Sequence, residues 1–213
     1  MNPLRVALNA LLPTRCPLCQ RYLSANEIGI CEGCLGQIPQ ATLEGHLLHL
    51  GNYHGALESA ARALKFGKNR DVAVPLARRL ASGIAGAGWL ADAIVPLPIH
   101  ASRARQRTYN QSEVIAVHLA RSLRIPLLHA LQRTRATYTQ ARLERAQREQ
   151  NVRGAFTVTR SVMGLELILL DDVYTSGATA TEASYLLIEA GAKRVRLVTL
   201  ARASTAREPE SPK

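Results

Sequence analysis

Residues 167–182 read LILLDDVYTSGATATE. Four large apolar residues run into two adjacent carboxylates, Asp171 and Asp172, and the chain then turns small and hydroxylated around Gly177. An uninterrupted apolar run fits a strand buried on both faces, as in a parallel sheet covered by helices. In such sheets ligands sit beyond the carboxyl ends of the strands. The strand is therefore expected over Leu167–Leu170, with the acidic pair at its end. Thr175, Ser176, Gly177, Ala178 and Thr179 offer hydroxyls and backbone N–H groups. The glycine permits the close approach that a phosphate needs. Thr179 and Glu182 have capping-box spacing, so a helix is expected to start at Thr179, with its N-terminus facing the anion. Ala183, Leu186, Leu187 and Ala190 supply its apolar stripe, and Gly191 ends it. Adjacent carboxylates suit ribose hydroxyls or hydrated Mg2+. The order strand, acidic pair, phosphate loop, helix describes a site for a phosphorylated sugar.

Similar signals recur upstream. Leu57, Ala60, Ala61 and Leu64 repeat at helical spacing and stop at Gly67, and a second helix is expected from Pro75. Ala93–Leu97 is an apolar run closed by prolines. Asn110 with Glu113 has capping-box spacing ahead of a stripe at Ile115, Ala116, Leu119 and Leu123. Short strands are expected in IPLLHALQR, GAFTVT and KRVRLVTLAR, with a charged segment, TQARLERAQREQN, on a long loop. Alternating strands and helices give an α/β fold with a parallel sheet flanked by helices. Residues 41–55 read as a connection that contributes a strand, and 204–213 as a disordered tail.

All four cysteines fall between 16 and 34, as Cys16-x-x-Cys19 and Cys31-x-x-Cys34 with eleven residues between the pairs. Two such pairs can converge four thiolates on one tetrahedral metal, and a full set of four thiolates leaves no open position for catalysis. This marks a small module at 10–40 with structural zinc. A redox pair, an iron–sulfur cluster and a site that binds no metal stay open at this point. The module is too short for a core of its own, so a metal would supply much of its folding energy.

The formal charge of the 213-residue chain is +11, from 27 Lys and Arg against 16 Asp and Glu. This favours anionic partners, whether nucleic acid or phosphorylated small molecules. No run approaches the ~18 apolar residues of a membrane helix. The N-terminus lacks a signal-peptide pattern, so a cytoplasmic protein is expected.

The acidic stretch closely resembles the 5-phosphoribosyl-1-pyrophosphate (PRPP) motif of type I phosphoribosyltransferases. The resemblance implies that Asp171 and Asp172 contact the ribose hydroxyls, and that Thr175–Thr179 hold the 5-phosphate. A second resemblance spans nearly the whole chain. The cysteine pairs, then Pro96, Pro98, Arg103, Arg107 and Asn110-Gln111, then Thr137, Gln140, Leu143, Arg148, Asn151 and Phe156, then the acidic motif, resemble the ComF family, including GntX-type proteins. Thr108-Tyr109 departs from its usual Gly-Phe. The implied organisation is a zinc ribbon at 10–40 and a phosphoribosyltransferase-like domain at 41–203.

The implied chemistry is Mg2+-dependent displacement of pyrophosphate from PRPP by an unknown nitrogenous acceptor, with Asp171, Asp172 and Arg107 as catalytic residues. Arg103 and Arg107 are candidates for the pyrophosphate, since Arg binds phosphate oxygens bidentately. Arg105 reads as a solvated charge. Arg148 and Asn151 are candidates for a lid. Thr175 stands where some purine-salvage relatives carry a carboxylate base, and Thr is a poor proton acceptor. The alternative is a non-catalytic sensor of PRPP or nucleotide, or a component of DNA uptake that associates with single-stranded DNA. The ribbon and the basic charge suit the latter; the few aromatics suit it less.

Overall fold

The computed structural model describes residues 14–67, 69–100, 109–135 and 152–203. Arg103, Arg105, Arg107, Arg148, Asn151, the charged segment around them and the tail at 204–213 lie outside the described residues.

A five-stranded sheet organises the chain. Its strands are β1 (Thr42–Glu44), β2 (Leu47–His49), β3 (Ala93–Pro96), β6 (Glu166–Tyr174) and β7 (Arg194–Arg202). Their order is β1-β2-β7-β6-β3. The apolar run Leu167–Leu170 pairs in parallel with Ala93–Pro96 on one side and with Val195–Val198 on the other. The strand does not stop at Leu170 as expected. It continues to Tyr174, because β7 extends alongside and pairs Asp171 with Thr199 and Tyr174 with Arg202.

The sheet is mixed rather than purely parallel. Residues 42–49 form a hairpin whose inner strand β2 runs parallel to β7 and whose edge strand β1 is antiparallel. The 41–55 connection thus contributes two strands instead of one. Strands β4 (Leu131–Arg133) and β5 (Phe156–Val158) form a separate antiparallel pair. The preceding residues touch the main sheet through a single bridge between Leu127 and Ile94.

Both faces are covered, which accounts for the continuous apolar runs. Ile94, Ile168, Leu170, Val198 and Leu200 face helices α2 (Gly55–Phe66), α3 (Ala73–Gly86) and α4 (Gln111–Leu123). Val95, Leu167, Leu169 and Leu197 face α5 (Ala178–Glu189) and the β4–β5 pair. In α2 the buried residues are Leu57, Ala60, Ala61 and Leu64, the stripe read from spacing. Helix α3 begins two residues before Pro75, after a 3-10 turn at Arg70–Val72. In α5, Ala183 and Leu187 are buried, while Leu186 and Ala190 are only partly covered.

The cysteine-bearing segment packs into this body. Cys16, Ile30, Cys31, Cys34 and Ile38 share one buried cluster with Leu57, Leu64, Val72 and Leu76. Arg79 of α3 donates to the carbonyls of Ile38 and Pro39. Helix α1 (Glu32–Gly36) closes the second cysteine pair.

Candidate functional site: an acidic cleft at the strand ends

The carboxyl ends of β3, β6 and β7 open into a cleft of about 370 Å3, within the range of small-ligand sites, roughly 300–1,000 Å3. Asp171 and Asp172 line it together with Thr175, Gly177 and Thr179. The loop after β3 (Leu97–Ile99) and the start of α4 (Asn110–Ser112) form another wall.

Each carboxylate is steadied locally. Asp171 Oδ1 accepts from the Asp172 N–H at 2.8 Å, and the Ser112 hydroxyl lies 3.5 Å from the same oxygen. Asp172 Oδ1 accepts from the Val173 N–H at 2.9 Å. The buried Thr199 hydroxyl donates to the Asp172 carbonyl at 3.0 Å and so fixes the strand beneath the pair. Burial, followed by the Asp172 charge, pushes the Asp171 carboxyl well above the usual range, and the Arg133 guanidinium acts against this. An anionic pair held this close favours a proton, a cation or hydrogen-bond donors between its oxygens.

The loop behind the pair turns through Gly177, whose φ is +78°. Gly177 is the N-cap of α5, and the helix starts at Ala178. The expected capping box at Thr179 does not form. Glu182 instead accepts from the Gly154 N–H at 2.7 Å, tying α5 to the chain that enters β5. A glycine in left-handed geometry directs the helix start without a capping side chain. The Ala178 N–H meets the Ser176 hydroxyl at 3.4 Å. The Ser176 and Gly177 N–H groups have no partner among the described residues. A phosphate-sized anion suits such a helix start.

The start of α4 has the expected Asn110 cap, while Glu113, the other half of the expected capping box, lies 3.7 Å from His129 Nε2. Asn110 caps the helix by accepting from the Ser112 N–H at 3.2 Å, and its amide donates to the Leu97 carbonyl at 3.0 Å. One residue thus joins the two segments of this wall. Tyr53, Lys65, Ser112 and Tyr174 also line the cleft, and sequence reasoning gave them no role there; Arg133, at the start of the charged stretch, lines it too. Tyr53 follows β2 and is held by its N–H to the Arg202 carbonyl at 2.7 Å. Nothing local in the sequence marks Tyr53 or Lys65, because a sheet pairing between residues far apart in the chain brings them in.

The four cysteine sulfurs lie within 4.8 Å of one another, and Cys19 and Cys31 are 3.6 Å apart. Zn–S bonds of about 2.3 Å arranged tetrahedrally set sulfurs about 3.8 Å apart, so the cluster fits zinc. The Cys34 N–H points to Cys31 Sγ at 3.5 Å, an amide placed to support a thiolate. Burial pushes the Cys31 thiol up, but hydrogen bonds from Cys34 and the other thiols outweigh it and bring it down to about 6. Burial and the adjacent sulfurs push Cys34 up. Glu27 braces the loop between the pairs, accepting from the N–H groups of Ser24 at 2.8 Å and Glu32 at 2.7 Å and from Arg21.

A mostly parallel sheet ending in an acidic pair and a glycine-turned helix start defines a protein of the phosphoribosyltransferase fold. Residues 71–213 match the phosphoribosyl transferase domain family. The chain belongs to that family, and within it to the ComF-type proteins; its own N-terminal segment brings four cysteines together. It is 30% identical over 222 residues to the DNA utilization protein YhgH of Salmonella typhi, covering 90% of this chain and 98% of that protein. It is also 30% identical to competence protein F of Haemophilus influenzae, covering 89% and 97%. Among solved structures, glutamine PRPP amidotransferase from Bacillus subtilis is similar at 22% identity and a TM-score of 0.45. That match spans 66% of this chain and 30% of the amidotransferase. No described helix is long and apolar enough to cross a membrane.

Proposed function

We propose that the cleft binds PRPP with Mg2+ and that the protein transfers its phosphoribosyl group to a nitrogenous acceptor. One observation carries this reading: a paired carboxylate and a glycine-turned helix start share one cleft at the strand ends. On this reading Asp171 and Asp172 accept hydrogen bonds from the ribose hydroxyls, and Thr175–Thr179 hold the 5-phosphate. Carboxylate and hydroxyl oxygens suit Mg2+, which when bound would neutralise charge on the diphosphate. In the transfer, the bond from the anomeric carbon to the diphosphate oxygen breaks and its electron pair leaves with the diphosphate. The acceptor nitrogen forms the new bond and gives up a proton to the departing diphosphate. Arg103 and Arg107 are assigned to the diphosphate and Arg148 and Asn151 to closure, by the resemblance of their motifs. Zinc at Cys16, Cys19, Cys31 and Cys34 belongs to the same reading.

A second reading is favoured by Thr175, which is exposed and carries no carboxylate. It is a non-catalytic PRPP-binding or DNA-associated role, in keeping with the names of the DNA utilization and competence relatives. Mg2+-PRPP is expected to raise the thermal unfolding midpoint, and Asp172→Asn to abolish that rise. An unchanged melting curve at millimolar PRPP would sink both PRPP readings. Pyrophosphate release across a panel of bases and amines separates the first from the second. Protection by single-stranded DNA but not by PRPP would favour the DNA-associated role.

A further inference from the structure

The family match begins at residue 71, yet the cleft is completed by residues upstream of it. Lys65 lies in the last turn of α2. A lysine there is commonplace, because it complements the helix dipole. Three observations give Lys65 a further role. It lines the main cleft with the acidic pair. It also lines a smaller adjoining recess with Asp172 and Gln111. The backbone under it is fastened, since the Leu64 carbonyl accepts from the Tyr109 hydroxyl. Tyr109 is itself held by the Arg70 guanidinium, 4.6 Å from its ring centre.

The ligand's polarity follows from the site. If the 5-phosphate sits at the start of α5, its opposite end lies toward the loop after β3 and the start of α4. Gln111, which shares the recess with Lys65, belongs to that second wall. A diphosphate there needs cations, and the described cleft residues that carry one are Lys65 and Arg133. Arg133 acts electrostatically on Asp171 and stacks on Phe156 at 5.2 Å. Lys65 lines the recess on the Asp172 and Gln111 side, and its ammonium lies 5.1 Å from the centre of the exposed Phe66 ring, a contact weak enough to be exchanged for an anion.

We infer that Lys65 is a ligand-binding residue whose ammonium holds the diphosphate end of the ligand, supplied from outside the matched domain. The inference rests on the reading of the cleft as a PRPP site. It is tested by calorimetric titration of the full, zinc-loaded chain in Mg2+ with PRPP, pyrophosphate and ribose 5-phosphate. Lys65→Met is expected to weaken PRPP and pyrophosphate roughly tenfold or more, the scale of one charge-assisted contact. Ribose 5-phosphate should stay within about twofold, and Lys65→Arg should restore most of the loss, because the charge is kept. Unchanged pyrophosphate affinity in Lys65→Met overturns the inference while leaving the PRPP reading intact. An equal loss for all three ligands, with a lowered unfolding midpoint, also overturns it, since that marks a structural lysine. Failure of the wild-type protein to bind PRPP removes the reading and the inference together.

Discussion

Gly177→Ala tests the loop geometry directly. Gly177 has φ +78° and ψ −10° at the start of α5. An added Cβ would lie 2.2 Å from the Tyr174 hydroxyl oxygen and 2.6 Å from the ring carbon that bears it. Two costs follow. A left-handed backbone costs a non-glycine residue about 1–2 kcal/mol. The Tyr174 ring must also swing aside, which costs about 0.5–1.5 kcal/mol if it leaves a staggered rotamer. The expected total is about 1.5–3.5 kcal/mol, or roughly 3–14 °C in unfolding midpoint for a chain of this size. Urea denaturation followed by circular dichroism measures it. Tyr174→Leu in the Gly177→Ala background should recover the second cost and leave the first, because the shorter side chain clears the methyl while φ stays positive. The single variant should also lose protection by Mg2+-PRPP, since the same turn aims the N–H groups of the loop. A stability loss under about 0.5 kcal/mol would refute the strained turn as the reason for the glycine, since even the lower backbone cost exceeds it. Full recovery in the double variant would refute the backbone share.

Two further outcomes follow from the cysteine cluster and the acidic pair. The purified protein should carry about one zinc per chain, and chelation should lower the midpoint of the whole body, because the thiols share a core with Leu57, Leu64 and Leu76; less than about half an equivalent after mild purification counts against the site. Asp171 has a folded pKa raised above its ordinary value of 3.8, so its contribution to stability is fully present below that value and is lost as pH rises through the folded pKa. Asp171→Asn should therefore gain stability over the wild type as pH rises, and show no gain at acid pH below 3.8; an equal gain at all pH values would show that the charge is not the cause.

The main strand, the stripes of α2 and α4, the Asn110 cap and the acidic pair were legible because each is written in a short window. Periodicity and one capping side chain suffice to read them. The errors have a common source. Leu170 looked like a strand end because Asp171 is charged, but pairing with Thr199 through Arg202 carries β6 four residues further. Thr179 and Glu182 matched a capping box by spacing, but the positive φ of Gly177 starts the helix earlier and Glu182 is drawn to Gly154. Residues 41–55 read as a connection with one strand: β2 has its parallel partner, β7, some 150 positions away, whereas β1 folds back on β2 in a short local hairpin that the composition of the stretch did not announce. Tertiary pairing decided the reach of β6 and the docking of β2, and no local window contains it.

The same non-local pairing explains why the upstream segment matters to the cleft. Strand β2 docks on β7, so the chain leaving β2 must emerge beside the ligand end of the sheet. The Tyr53 N–H then closes onto the Arg202 carbonyl, and α2 follows directly. The buried face of α2, adjacent to Lys65, presents Leu57 and Leu64 to the cluster that includes Cys16, Cys31 and Cys34. One helix therefore carries Lys65 at the cleft and packs the cysteine segment. Loosening the cluster would remove packing from the helix that positions Lys65. A metal that steadies the cysteines would thereby steady one wall of the cleft, with no contact between metal and ligand. Calorimetric binding before and after zinc removal separates this coupling from simple unfolding, provided the apo protein retains its helical signal.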